Sequence, residues 1–219
     1  MKIIRQYKSL EKNDRVMLFL VVTAIINAIV AAMKMILALT LPSLWFFVNS
    51  IFLGILCLSR CFSIRNYKKI RLNLVKEDQI KNIGYKTYLS NGILLVILGL
   101  AYFFVNVYIY YKGTNTTIHE YLTYLVALIA FWSIGSSIYG MIKYNKNTNP
   151  IIKAVKMTSF ANALTSIMLT QIVLLDTYAI DAAYNSNLMN GITGICVSII
   201  IMIIGLYMVI SINKIKKDY

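Results

Sequence analysis

Acid is what this sequence has least of. Eight Asp and Glu residues stand against 22 Lys and Arg, and there is a single histidine, His119. The acids are Glu11, Asp14, Glu77, Asp78, Glu120, Asp176, Asp181 and Asp218. None falls in the middle of a long apolar stretch; Asp176 comes closest, near the end of one. Hard or borderline divalent cations need oxygen or imidazole ligands, usually with compensating negative charge. The apolar stretches offer amides, hydroxyls and one cation, so a zinc-type site is not expected. No nucleophile–base pair and no phosphate loop occur either. The chain is therefore not expected to be an enzyme, and no cofactor is implied. It carries no nucleotide-binding segment, so ATP-driven work would need a partner chain.

Charge as a whole is scarce. Charged residues are 14% of the chain and hydrophobic ones 59%, too little polar surface to cover a soluble domain of 219 residues. The three cysteines make no disulfide framework. Cys57 and Cys61 are four apart, on one helix face, and Cys196 is distant. That spacing suits a soft metal. With no His or carboxylate beside them, they read as small packing residues.

What is present comes in blocks. Six stretches of roughly 18 residues or more are apolar with few charges: 16–39, 43–64, 88–111, 121–142, 156–179 and 189–212. At ~1.5 Å per residue, each is long enough to cross ~30 Å of hydrocarbon with some tilt. Lipid offers no partner for free backbone N–H and C=O groups, so the spans must be helical. The alternating ten-residue pattern of a β-barrel is not seen. The expected fold is an all-α membrane protein, one transmembrane domain over residues 1–219 built as a six-transmembrane-helix bundle. The first stretch exceeds a signal peptide's apolar region and is expected to be retained.

The basic residues are placed unevenly. Of the 22, only Lys34 and Lys112 fall outside the segment before the first stretch, the two long even-to-odd connections with their borders, and the tail. By the positive-inside bias this puts both termini in the cytoplasm, in a plasma or inner membrane. The basic loops are expected to rest on anionic lipid. Nucleic acid is the poorer reading of the same charge. The expected partners are the lipid bilayer and either a second copy of the chain, as a homodimer, or another membrane protein. Tyrosines mark the borders as an aromatic belt: Tyr102, Tyr108, Tyr110, Tyr111, Tyr121 and Tyr124 outside, Tyr67, Tyr85, Tyr88 and Tyr144 inside. The connection 65–87, with Ile70, Leu74 and Ile80 among lysines, is long enough for a short helix lying on the membrane surface.

Polar residues inside the stretches are the candidate functional positions. In the fifth, Thr158, Ser159, Asn162, Thr165, Ser166 and Thr170 fall on roughly 140° of a helix. Such a stripe faces a bundle interior or a cavity rather than lipid. The third has a related stripe in Asn91, Gly99, Tyr102 and Asn106. Small pairs, Ser136 with Gly140 and Gly194 with Ser198, would let helices approach closely. Lys34 lies about six residues, or ~9 Å, from the outer end of the first stretch, within reach of snorkelling. There is also an internal echo. Phe47-Val48-Asn49-Ser50-Ile51 and Phe160-Ala161-Asn162-Ala163-Leu164 share an F-x-N-small-aliphatic pattern. Matching helices in two halves of a bundle can reflect a transporter repeat.

Taken together, these helices resemble the transmembrane domain of the cation diffusion facilitator (cation efflux) family. Asn27 followed by Lys34 fits its first helix. "SLWFFVNSIFLGIL", 43–56, follows the framing of its second, with Val48-Asn49-Ser50 where that family has A-D-A. Ala161-Asn162-Ala163 fits the same motif in its fifth helix, and "NGITGICVSIIIMIIGLYMVI" is similar to its sixth. The resemblance implies six helices and cytoplasmic termini. It also implies metal ligands at an H and a D after each A-D-A. Those positions here are Phe52 and Leu56, then Thr165 and Leu169, so all four ligands are absent. A counterpart of the family's cytoplasmic C-terminal domain is not expected either. The leading expectation is a transporter-like protein without the standard divalent-metal site, its substrate open. The competing one is a non-transporting interaction, scaffold or sensor subunit. The candidate polar core is Asn27, Lys34, Asn49, Asn162 and Thr165.

Overall fold

The computed structural model describes residues 12–40, 44–72, 74, 76–112, 120–143, 149–178 and 186–212. These residues form six α-helices and no strand: α1 Lys12–Thr40, α2 Leu44–Arg71, α3 Glu77–Lys112, α4 Glu120–Lys143, α5 Pro150–Tyr178 and α6 Ser186–Ile210. Four of them contain segments long and apolar enough to cross a membrane: Phe47–Arg71, Gln79–Lys112, Pro150–Leu175 and Ser186–Ile210. The described apolar parts of α1 and α4 are shorter, Val21–Met33 and Thr123–Tyr139.

The connection 65–87 does not hold a separate surface helix. α2 runs on through Arg71 and α3 starts at Glu77, so both helices extend past their apolar parts. Lys68, Lys69 and Arg71 occupy the last turn of α2, where cations complement the free carbonyls. The Leu72 and Leu74 amides bond back to the Lys68 and Lys69 carbonyls at 3.0 and 3.2 Å and close the helix. Glu77 and Asp78 open α3, the charge a helix start favours. α5 begins at a side-chain cap. Asn149 Oδ1 accepts the Ile151 amide at 3.0 Å, and Pro150 takes the first helical position, where no N–H is needed.

α3 and α6 run antiparallel, and their pairing can be read residue by residue. Along α3 and α6, Tyr110 faces Gly191, Asn106 faces Gly194, Gly99 faces Met202, Val96 faces Gly205 and Gly92 faces Met208. This is the most extensive helix pair in the molecule. It is a glycine seam: a Cβ on Gly205 would lie 2.8 Å from the Gly92 carbonyl oxygen and the Val96 amide nitrogen. Without a hydrophobic drive between helices in lipid, close backbone approach through small residues supplies the packing. α4 pairs with α5, and α1 with α2. α5 is the hub and touches all five other helices. Its inward face is built for that: Ala154, Ala161, Ala163, Thr158, Thr165 and Ser166 are all buried.

One end of the bundle collects the basic residues. Met17 near the start of α1 packs with Ile64 and Tyr67 of α2 and Ile152 and Val155 of α5. Asn66 donates to Thr87 Oγ1 at 2.9 Å, and the Tyr88 hydroxyl pairs with Ser211 at 3.2 Å. The start of α1, the end of α6 and the α2–α3 connection therefore meet there. The outer surface is apolar, with Ile25, Ile36, Phe104, Phe131, Trp132 and Ile203 all exposed. So continuous an apolar surface suits lipid contact. Tyr108, Tyr110, Tyr111, Tyr121 and Tyr124 are exposed, as belt residues should be. Tyr102 and Tyr88 are not: each is 1% exposed, and each uses its hydroxyl inside the bundle. A buried tyrosine needs a partner for its O–H, and both have one.

Candidate functional site

Among the described residues, most of the buried polar side chains fall into three groups rather than one. In the first, Asn49 of α2 is fully buried and donates from Nδ2 to the Tyr102 hydroxyl of α3 at 3.2 Å. Phe52, one turn on, packs its ring on Tyr102 with centroids 5.0 Å apart. Next along α2, Ser50 donates to the Ala31 carbonyl of α1 at 3.1 Å. A turn beyond Tyr102, Asn106 donates to the Tyr102 carbonyl at 2.7 Å and to Ser198 of α6 at 3.2 Å. Among the described residues Asn106 Oδ1 has no N–H or O–H partner, but it points at Gly194, where a Cβ would collide with it at 2.0 Å. The hydrogen that glycine carries there makes a Cα–H···O contact, a recurring feature of close helix pairs.

The second group is the stripe on α5. It is buried but looks mostly to its own helix. The Thr165 and Ser166 hydroxyls both donate to the Asn162 carbonyl at 2.9 Å, and Thr170 to the Ser166 carbonyl at 3.0 Å. Two links reach α4. Asn162 Nδ2 donates to Ser133 Oγ at 3.1 Å, and Ser137 Oγ to the Ser159 carbonyl at 2.9 Å. A cavity of about 40 Å³ touches Ser133, Asn162 and Ser166 among apolar residues of α1, α2, α4 and α5. It adjoins a wider apolar groove of about 710 Å³ between α1 and α4, lined by Ile26, Val30, Ile129, Trp132 and Gly135 among others. Ser136 also lines that groove, and its expected partner Gly140 lies outside the residues whose burial is described. Neither Asn49 nor Thr165 lines either space.

The third group sits toward the basic end. Asn91 of α3 accepts from Ser59 of α2 in a short hydrogen bond, and donates to Ser63 Oγ at 3.1 Å and the Thr87 carbonyl at 2.7 Å. Beside it, Arg60 is 2% exposed. Among the described residues its one hydrogen bond runs from Nη2 to the Thr158 carbonyl of α5 at 3.4 Å, and Nε has none.

The sequence-derived candidates thus scatter. Asn162 and Thr165 are joined through the Asn162 carbonyl. Asn49 donates to Tyr102 on α3, whose side chain is long enough to bring a hydroxyl across the helix pair. Asn27 and Lys34 lie on α1, and their side chains are outside the described residues. The four positions where the family resemblance implies metal ligands are packing positions: Phe52, Leu56, Thr165 and Leu169 are each at most 3% exposed. Cys57 donates to the Ala24 carbonyl at 3.6 Å, and Cys61 and Cys196 are exposed. Reading by stretches does not single out Arg60, because it stands at the border of a basic connection. Its face would have found it: Asn49, Phe52, Leu56, Arg60 and Ser63 recur at helical spacing. No known protein family matches the chain, and no curated protein does either.

Proposed function

We propose that the chain is a six-span protein of the cell membrane with cytoplasmic termini. In this reading it has a cation-efflux-like arrangement whose ion positions have become packing positions. It acts as a non-transporting interaction or scaffold subunit, and it is not an enzyme. The observation that carries this is the state of the centre. Asn49 is tied to Tyr102 beneath Phe52, and the Thr165 hydroxyl is turned onto its own helix. A pathway would need water at those side chains. The transporter-like reading is favoured by one feature, the cavity of about 40 Å³ at Asn162, Ser133 and Ser166. It is large enough to hold a water and has polar partners for one.

Cysteine accessibility in membranes separates the two. With Cys57, Cys61 and Cys196 replaced, single variants Asn49→Cys, Asn162→Cys and Thr165→Cys are treated with a small water-soluble thiol reagent. The scaffold reading expects Asn49→Cys and Thr165→Cys to stay protected, with Asn162→Cys far slower than a loop control. Labelling of all three from one side, at loop-like rates, would overturn it and establish a water path.

A further inference from the structure

We propose that Arg60 is the receptor of a phosphate-type oxyanion, seated between α2, α3 and α5 near the basic end of the bundle. The inference begins from what its neighbours have left to give. Asn91 uses its amide nitrogen twice and accepts from Ser59; Ser63 donates to the Ser59 carbonyl; the Thr158 hydroxyl donates to the Val155 carbonyl. These groups satisfy one another. Among the described residues of this group, Arg60 alone keeps donors to spare: Nε has no partner, and Nη2 makes one long bond of 3.4 Å to a backbone carbonyl. The guanidinium has five N–H donors and stays charged, so what the site lacks is an acceptor, and a negative one.

Charge and shape narrow the occupant. The partner that Arg60 does have is a neutral backbone carbonyl, that of Thr158. A neutral carbonyl leaves the charge uncompensated, whereas a tetrahedral oxyanion meets the planar fork with two parallel bonds. The α5 wall opposite is lean: Ala154 and Ala161 flank Thr158, one turn to either side, and all three are fully buried. The approach is electropositive. Arg60 lies about 6 Å along the axis from Ile64, beyond which come Arg65, Lys68, Lys69 and Arg71, with Lys153 and Lys156 on α5 at the same end. Arg65, Lys68, Lys69 and Arg71 are exposed and Lys153 and Lys156 half-buried; together they draw an anion to the bundle end, and Arg60 is the buried cation that holds it. The anion is either free phosphate or the phosphodiester of a lipid headgroup. This does not depend on whether the protein transports anything.

Thermal unfolding of the full chain, stripped of lipid in an uncharged detergent, tests the proposal in two arms. One titrates inorganic phosphate at constant ionic strength. The other compares mixed micelles of phosphatidylglycerol with micelles of a neutral glycolipid that has no phosphate. A rise in the midpoint of about 3 °C or more is expected in at least one arm. A rise with inorganic phosphate assigns the free anion; a rise with phosphatidylglycerol only assigns the lipid. In either case Arg60→Gln must abolish it, while Arg65→Gln, which removes an exposed cation of the same helix, must keep it. Should Arg60→Gln fail to fold, Arg60→Lys retains the charge without the fork and is expected to at least halve the shift. No rise in either arm, or a rise that survives the Arg60 substitutions, overturns the proposal.

Discussion

Between α3 and α6 the space beside each glycine is filled by the opposite helix; beside Gly135 of α4 it is empty. A Cβ on Gly191, Gly194 or Gly205 would meet the partner helix at 2.6, 2.0 and 2.8 Å, whereas one on Gly135 would meet nothing within 4 Å. Both regions are apolar, so hydropathy does not distinguish them. What differs is whether a glycine is matched across the interface. Gly92 faces Met208, Gly99 faces Met202 and Gly205 faces Val96, so the α3–α6 backbones close together. Gly135 lines the groove between α1 and α4, which is left for other molecules to fill. The seam holds the bundle, and the groove leaves α4 held chiefly by α5.

The largest effect expected from breaking this contrast is at the seam. Gly205→Ala puts a methyl group against backbone atoms of Gly92 and Val96, which have no rotamer to change. The helices must part along their length, at a cost of about 2–3 kcal/mol. Gly194→Ala strikes the Asn106 amide, which can move only by giving up its bond to Ser198. A similar loss is expected there. Reversible unfolding in mixed micelles measures both. A loss below about 0.5 kcal/mol at both positions would mean the seam is not closed as described.

A smaller effect is expected from the polar link that joins α2 to this pair. Interhelical hydrogen bonds in membranes contribute only about 0.6 kcal/mol each, so packing outweighs them. Asn49→Leu and Tyr102→Phe should each cost about 1 kcal/mol, and together less than the sum, with a coupling of about 0.5 kcal/mol or more. Strict additivity in the double-mutant cycle would show that the contact seen at 3.2 Å does not form.

These contrasts also show how far the sequence reaches. That the chain is helical, with helices long and apolar enough for a membrane, is local information: stretch length and hydropathy state it. The inward stripe of α5 follows from 100° arithmetic, and Thr158, Asn162, Thr165 and Ser166 are buried. Partners are another matter. Nothing local to "VNSIF" says that Asn49 meets Tyr102 of α3, because that depends on which helices pair. The echo in α5 does not predict it either: Asn162 turns to Ser133 of α4. Position along a helix misled twice. Tyr88 looks like a belt residue, and Arg60 like a loop charge, from their places near the ends of apolar stretches. Both belong to inward faces, and the face decides.

The smallest effect sharpens the comparison from its open side. Gly135→Ala relieves the flexibility cost of a mid-helix glycine, worth at most about 0.5–1 kcal/mol, and meets no atom. It should leave stability level or slightly raised, the opposite sign to Gly205→Ala. Gly135→Leu extends the test. In an open groove the larger side chain is tolerated, with a change within about 0.5 kcal/mol. If α1 instead closes onto α4 in the membrane, leucine at this position is overpacked and costs about 1–3 kcal/mol. The two substitutions thus read the groove by sign and by size. A neutral alanine with a costly leucine would mean a gap one methyl group wide, not a groove of about 710 Å³.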